Sequence, residues 1–311
     1  MSARMCGDYF LRKWSNMSDI EKIGFIGLGV MGRPICRNIA RKSKITTTAF
    51  DLNPTPLRQV ADDGVRAASS VADVVANADV IFLSLPGGPE VGAVVSGAGG
   101  ILGTARSGQI IVDLSTTPVD VTRSLADVCS KRGVSYADAP VARTRQAAEE
   151  GTLSIMVGAP TQLFDKIRPW LAFAASDVTH CGPVGCGQIA KIMNNMILAE
   201  IVVAISEALA IGVASGIDGR LLYETLSKGS ADSFALRNHG MKAILPGIFP
   251  RDAFSTRYAM KDLDSALALA KNAKVNARGA SLARELLAKA DAAGFGSEYF
   301  PVVSQVIARG A

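Results

Sequence analysis

Residues 188–195 read Gln-Ile-Ala-Lys-Ile-Met-Asn-Asn. At about 100° per residue, Gln188, Lys191, Asn194 and Asn195 share roughly one third of a helix circumference, and Ile189, Ile192, Met193, Met196 and Ile197 cover the opposite side. The segment then continues almost entirely apolar to Gly216, and a helix this apolar is expected to be largely buried. A lysine with two adjacent amides at its start is costly to bury unless the group is used. Taken alone, the segment leaves a solvated first turn open as the plainer reading. The other end of the chain bears on the choice.

There, Gly27-Leu-Gly29-Val-Met-Gly32 follows the short apolar run Ile23–Ile26 and opens a helix reaching about Ala40. A β-branched strand, Thr46–Phe50, ends at Asp51. Glycines between a strand and a helix, with an acid closing the next strand, form the context of a dinucleotide site. Gly27 makes the tight turn, Gly29 admits the pyrophosphate, and Gly32 lets the helix pack on the strand. The helix N-terminus offers N–H groups and partial positive charge to phosphates. Asp51 can accept both ribose hydroxyls and would repel a 2′-phosphate, and Leu52 and Asn53 beside it include no arginine. The expected cofactor is therefore NAD.

These motifs must be positioned by a scaffold. Further short strands at 80–85, 110–114, 135–138 and 155–157 alternate with helices, which implies a Rossmann-type α/β fold with a mostly parallel, doubly wound sheet. After about Gly182 the pattern becomes helical: the long helix from about Gly185, then 221–227, 233–244, 255–272, 280–293 and 299–308, separated by Gly and Pro clusters. The expected domains are an NAD-binding α/β domain over 20–182 and an all-α substrate and oligomerisation domain over 183–311, joined by the long helix. Residues 1–19 lack an apolar run and read as a flexible extension without a secretory signal, Met17 being a possible alternative start.

Composition narrows the function classes. In 311 residues, 49% hydrophobic and 20% charged, there is ample material for a compact enzyme and no signature of disorder. The net charge of +5 is scattered without aromatic interleaving, which argues against nucleic acid. The apolar stretch 196–215 could span a membrane by length, but Glu200 and Glu207 interrupt it and no aromatic belts flank it, so a buried helix is expected. Five cysteines without a compact framework imply reduced thiols and a cytoplasmic location. His180, Cys181 and Cys186 resemble a fragment of a metal site, yet the chain has only one further histidine, His239, and no metal is expected.

Taken together, the segments resemble the β-hydroxyacid dehydrogenase family, which includes 3-hydroxyisobutyrate dehydrogenase, tartronate semialdehyde reductase and, more distantly, 6-phosphogluconate dehydrogenase. The likeness runs from about Lys22 to about Ala308. Gly24 to Pro34, containing Leu28, Val30 and Met31, is similar to the family's cofactor signature; Asp113-Leu-Ser115-Thr116 to its strand-end motif; Gly185 to Asn195 to its catalytic segment; and Lys261-Asp-Leu263 to its late motif. The resemblance implies that Lys191 is the catalytic lysine and Asn195 a substrate ligand. It also implies that Leu85, Pro86, Ser115, Thr116 and Lys261 lie against the cofactor, and that the chain forms a homodimer or homotetramer. Removing a hydroxyl proton as hydride leaves needs a base, and neither histidine sits in a motif. Burial beside a cationic nicotinamide would bring a lysine's pKa down toward working pH. Asn194 is expected to bridge to the backbone.

One loop departs from the family. After Asp138-Ala-Pro-Val141, where relatives continue Ser-Gly-Gly, this chain has Ala142-Arg143-Thr144, returning to frame at Gly151-Thr-Leu153. This is similar to the Gly-Arg-Thr loop of sulfolactaldehyde reductases. It implies that Arg143, with Thr144 and Ala142, binds an anionic group of a small 3-hydroxy acid or sulfonate analogue; an external ion pair of Arg143 with Glu149 or Glu150 is the alternative. The expected reaction interconverts such an acid and its semialdehyde. Imine reduction, or a non-catalytic dinucleotide-binding role of the same fold, remains the other reading; the Lys191/Asn195 pair counts against both.

Overall fold

The computed structural model describes residues 20–251 and 253–310; the extension expected over 1–19 lies outside them. The chain divides into two compact units, one ending at Lys191 and the other beginning at Ile192.

The first unit is built on a nine-stranded sheet. Six parallel strands, β1 (Lys22–Ile26), β2 (Thr46–Phe50), β3 (Val65–Ala67), β4 (Val80–Leu83), β5 (Ile110–Asp113) and β6 (Ser135–Asp138), lie in the order β3-β2-β1-β4-β5-β6. In the central strands side chains alternate between two cores: Phe25, Phe82 and Val112 go to one face, and Ile26, Ile81 and Ile111 to the other. That period of two, buried on both sides, explains why these strands read as plain apolar runs. Helices α1 (Gly32–Ser43), α2 (Pro54–Ala61), α3 (Val71–Ala76), α4 (Gly88–Ser96), α5 (Ile101–Thr104) and α6 (Val119–Ser130) make the connections.

Beyond β6 the sheet changes character. β7 (Val141–Ala142) continues the line of β6 past Pro140, and both pair antiparallel with β8 (Leu153–Gly158), Asp138 opposite Gly158 and Val141 opposite Ile155. A short helix, α7 (Arg145–Glu150), closes the loop between β7 and β8, and α8 (Thr161–Leu171) leads to β9 (Ala175–Gly182), which runs parallel to β8. β9 was not foreseen: Ala-Ser-Asp-Val-Thr-His-Cys-Gly carries no apolar alternation, and most of it is not buried.

Helix α9 (Cys186–Ala214) contains the division between the units. The second unit adds α10 (Gly219–Leu226), a π-helical segment (Leu236–Ile244), α11 (Thr256–Asn272), α12 (Arg278–Ala290) and α13 (Val303–Ala308) around Val202, Tyr223, Leu236, Leu263, Leu287 and Phe300. One expectation fails here. Only 28% of the most apolar 18-residue stretch of α9 is buried, at a mean hydropathy of 2.2, and Ile197, Ile211 and Val213 are at least half exposed. Apolar side chains surround this helix on all sides, and the single chain covers only part of them.

Candidate active site

The cofactor turn is set by backbone geometry. Gly27 has φ +93°, and a Cβ there would sit 2.3 Å from the Ser84 carbonyl oxygen; a Cβ on Gly32 would sit 2.1 Å from the oxygen of Gly27. Neither position tolerates a side chain. Gly29 differs, since a Cβ there meets nothing within 4 Å: the protein leaves that side open, as close approach of a ligand requires. Helix α1 is capped at its start by Met31 with no side-chain hydrogen bond. The Arg33 N–H donates to the Gly29 carbonyl at 3.1 Å and Pro34 has none, so the N–H of Gly32 is the first-turn donor that suits an anion. Asp51 closes the turn by accepting from the N–H of Leu28 at 2.6 Å and of Asn53 at 2.7 Å. Val30 and Leu52 are exposed beside it. These residues fit a nicotinamide dinucleotide.

A second layer supports the strand ends. The buried Asp113 carboxylate accepts from the Ser115 N–H (2.9 Å), the Thr117 hydroxyl (3.0 Å) and the Tyr136 hydroxyl (3.1 Å), and burial raises its pKa against those hydrogen bonds. The Ser115 hydroxyl in turn accepts from the Leu85 N–H at 2.9 Å. Thr116 is half-buried and Pro86 exposed. Gln188, fully buried, donates to the Ser115 carbonyl at 2.8 Å and accepts from the Thr117 N–H at 3.1 Å. The polar face read from the sequence as one cluster thus splits: Gln188 fastens α9 to the cofactor-side strand ends.

Asp138 does the same for the start of that helix. Its carboxylate accepts from the N–H of Gly185 at 2.7 Å and of Gln188 at 2.8 Å, acting as an N-terminal cap supplied from β6. Two glycines make room: a Cβ on Gly158 would lie 2.4 Å from an Asp138 oxygen, and one on Gly187 2.3 Å from the Met156 carbonyl. Burial pushes the Asp138 carboxyl up to about 6, against the two backbone hydrogen bonds. The turn leading into α9 is thereby fixed, and Lys191, half-buried, lies one turn further on. The sequence alone gives Asp138 no role; the glycine pair flanking Cys186, next to Gln188, is the local signal of a carboxylate-capped turn.

In the second unit, Asn195 is buried, and its amide donates to Asp262 at 2.5 Å. Asp262, also buried, was missed as a functional residue although it stands in the Lys-Asp-Leu motif. Lys261 lies 4.0 Å from the other Asp262 oxygen and 5.3 Å from the Tyr258 ring centroid. Asn194 is exposed and donates to the Asn195 side-chain oxygen at 3.0 Å; the expected bridge to the backbone is replaced by one between neighbouring amides. His239 does not join this network. It is buried against the Tyr299 hydroxyl, and burial lowers its pKa to about 4. His180 stacks on Phe164, with its Nε2 2.7 Å from the Ala159 carbonyl.

The loop over residues 142–152 departs from expectation. Arg143 does not present its guanidinium as an anion receptor: Nη1 donates to the Thr152 carbonyl and the Ser176 hydroxyl, and Nη2 to Asp177, each at 2.6 Å. The alternative pairing fails too, because Glu149 faces Arg33 and Arg37, and Glu150 accepts from Gln146. Thr144 caps α7 by accepting from the Ala147 N–H at 3.3 Å, and Ala142 is buried in β7. The φ at Arg143 is +87°, a conformation that costs a non-glycine residue about 1–3 kcal/mol, and from it the side chain reaches Ser176 and Asp177 of β9.

Comparison with known proteins identifies the family. Residues 22–182 match the family described as the NAD binding domain of 6-phosphogluconate dehydrogenase, and residues 185–306 that described as NAD-binding of NADP-dependent 3-hydroxyisobutyrate dehydrogenase. The chain is 36% identical over 285 residues to 2-(hydroxymethyl)glutarate dehydrogenase of Eubacterium barkeri, covering 92% of this chain and 94% of that one. It is 34% identical to 3-hydroxyisobutyrate dehydrogenase of Pseudomonas aeruginosa, covering 87% and 93%. A solved 3-hydroxyisobutyrate dehydrogenase of Mycobacterium tuberculosis with L-serine superimposes with a TM-score of 0.80 at 29% identity, covering 93% of this chain and 99% of the other. With residues 22–182 and 185–306 both matched, the chain belongs to the β-hydroxyacid dehydrogenase family, whose members of this type are NAD-dependent 3-hydroxyacid dehydrogenases.

Proposed function

We propose that this enzyme oxidises a small 3-hydroxy carboxylic acid to its semialdehyde, and reduces the semialdehyde in the reverse direction, with Lys191 moving the hydroxyl proton. The observation that carries the reading is the fixed start of α9: Asp138 and Gln188 hold the turn just ahead of Lys191 with four hydrogen bonds to or from the cofactor-side strands. A proton-transfer group needs that placement. The Gly27–Gly32 turn and Asp51 would hold NAD, which would supply a hydride acceptor there. Lys191 takes the proton from the substrate oxygen as the C–H bond breaks and returns it in reduction. Asn195, oriented by Asp262, hydrogen-bonds the substrate. The family resemblance assigns the substrate carboxylate to residues 142–144, where Ala142 stands in place of the relatives' serine.

With Arg143 committed to β9, support for a sulfonate substrate weakens. The deciding experiment is NAD reduction with 3-hydroxyisobutyrate, L-serine, 2-(hydroxymethyl)glutarate and 2,3-dihydroxypropanesulfonate. Turnover of at least one carboxylate supports the reading, and exclusive turnover of the sulfonate overturns its substrate class. We also infer that a second copy of the chain covers the exposed apolar side chains of α9; Glu200 and Glu207 on that helix disfavour lipid. Sedimentation of Ile211→Glu against wild type tests this, and an unchanged monomeric wild type would refute it.

A further inference from the structure

We propose that Arg143 is a positioning residue, a strap that binds the substrate loop to the sheet edge and keeps the loop backbone in its left-handed conformation. Among the described residues, three other than glycine have positive φ: Lys44, Arg143 and Lys274. Lys44 caps the end of α1, and Lys274 follows the cap of α11, where a left-handed residue ends a helix in the ordinary way. Arg143 has no such excuse. It lies between β7 and the residue that caps α7, and something must hold it there.

What holds it is a second irregularity. Between Leu153 and Ser154 the β8–β9 register slips, so that Leu153 pairs with Ala175 and Ser154 with Asp177. Ser176 is the extra residue, and a bulge of this kind re-aims side chains. The re-aimed pair is the one that receives the guanidinium: Ser176 Oγ and Asp177 Oδ2 accept from its two terminal nitrogens, and Ser176 donates to Asp177 at 2.8 Å. The third bond, to Thr152 O, ties the start of the loop to its end. The hydrogen bond from Ser176, then the one from Arg143, holds the Asp177 carboxyl below the usual range. A planar fork suits three acceptors at once; a lysine does not.

The far side of the loop is fastened as well. Asn38 of α1 donates to the carbonyls of Ala148 and Glu149 at 2.9 and 3.2 Å, and Arg33 and Arg37 of the same helix pair with Glu149. The segment 143–150 thus bridges β9 and the helix whose first turn opens onto the dinucleotide site. Because the strap is partly exposed, with side chains 41% and 55% accessible, its loss should barely change global stability. It should change where the loop's N–H groups stand.

The inference rests on residues 142–152 forming the substrate loop, and its test separates the two ideas. Hydrogen exchange of amides 142–152 is measured on wild type, Arg143→Ala and Asp177→Asn with NAD bound and no substrate, together with steady-state kinetics on the best substrate found. The strap predicts faster exchange in both variants. It also predicts a KM for the hydroxy acid raised roughly 10- to 100-fold, kcat within about threefold and an unchanged KM for NAD. Arg143→Lys should recover part of the loss. Should Arg143→Ala fail to fold, Asp177→Asn still decides. Unchanged exchange in Asp177→Asn, or a lower substrate KM when Asp177 no longer holds the arginine, would overturn the strap and restore Arg143 as an anion receptor. A wild type that oxidises no 3-hydroxy acid defeats the functional reading, while the exchange data still judge the strap.

Discussion

Two strand-end turns in the first unit use left-handed backbone, and they do so by opposite means. At the cofactor turn, Gly27 takes φ +93° because any side chain would strike the Ser84 carbonyl; the conformation follows from residue type. At the substrate loop, Arg143 takes φ +87° although its residue type opposes it, and the side chain's own bonds to Thr152, Ser176 and Asp177 compensate. The glycine turn takes its left-handed angle from residue type alone. A strapped loop depends on a bulge more than thirty residues away, so its geometry can be retuned by changing either end.

The largest expected effects break the cofactor turn. Gly27→Ala forces Cβ to 2.3 Å of a backbone oxygen at an unfavourable φ; it should destabilise the protein by more than about 3 kcal/mol and abolish NAD binding. Gly29→Ala, with no protein atom within 4 Å of the new methyl, should melt near wild type yet lose NAD affinity by roughly 10- to 100-fold. Thermal melts with and without NAD check the pair; equal damage from both changes would remove the distinction between a folding glycine and a ligand glycine. Asp51→Ser with Leu52→Arg should move preference toward NADP(H) by a similar factor, read as the ratio of kcat/KM values. A wild type that already prefers NADPH would contradict the role given to Asp51.

A subtler effect concerns pH. Burial holds the Asp138 carboxyl at about 6 in the folded state, above the usual carboxylate range of about 4. The unfolded chain therefore ionises first as pH rises, and the stability associated with this group is fully present below about pH 4 and lost by about pH 6. Asp113, also raised by burial, acts in the same direction. Asp138→Asn should flatten the stability curve between pH 4 and 6, leaving the slope due to Asp113. A curve parallel to wild type, measured by denaturant melts at each pH, would mean that Asp138 does not titrate in that window.

The contrast between the turns also explains what the sequence made legible. Gly27-x-Gly29-x-x-Gly32 after one strand and Asp51 at the end of the next are local patterns that can be read without distant partners. The mostly parallel sheet and the helical second half follow from similarly local periodicities; the short edge strand β3, Val65–Ala67, does not, being three residues with only Val65 buried. Missed were features made by pairs far apart in the chain: Gln188 with Ser115 and Thr117, Asn195 with Asp262, and Arg143 with a bulge in a strand whose sequence lacks alternation. Arg143 was recognised as a departure, yet its direction depended on a backbone angle that residue type argues against. The exposure of α9 was hidden for another reason: apolar composition requires a cover and does not say which molecule provides it.

The most direct test of the account is single-turnover oxidation of the preferred 3-hydroxy acid by Lys191→Ala, with NADH affinity measured on the same sample. Loss of a positioned proton-transfer group predicts a rate lower by about 10²–10⁴-fold, with NADH bound as tightly as in wild type. A rate within about threefold of wild type would place the base elsewhere and contradict the role assigned to α9.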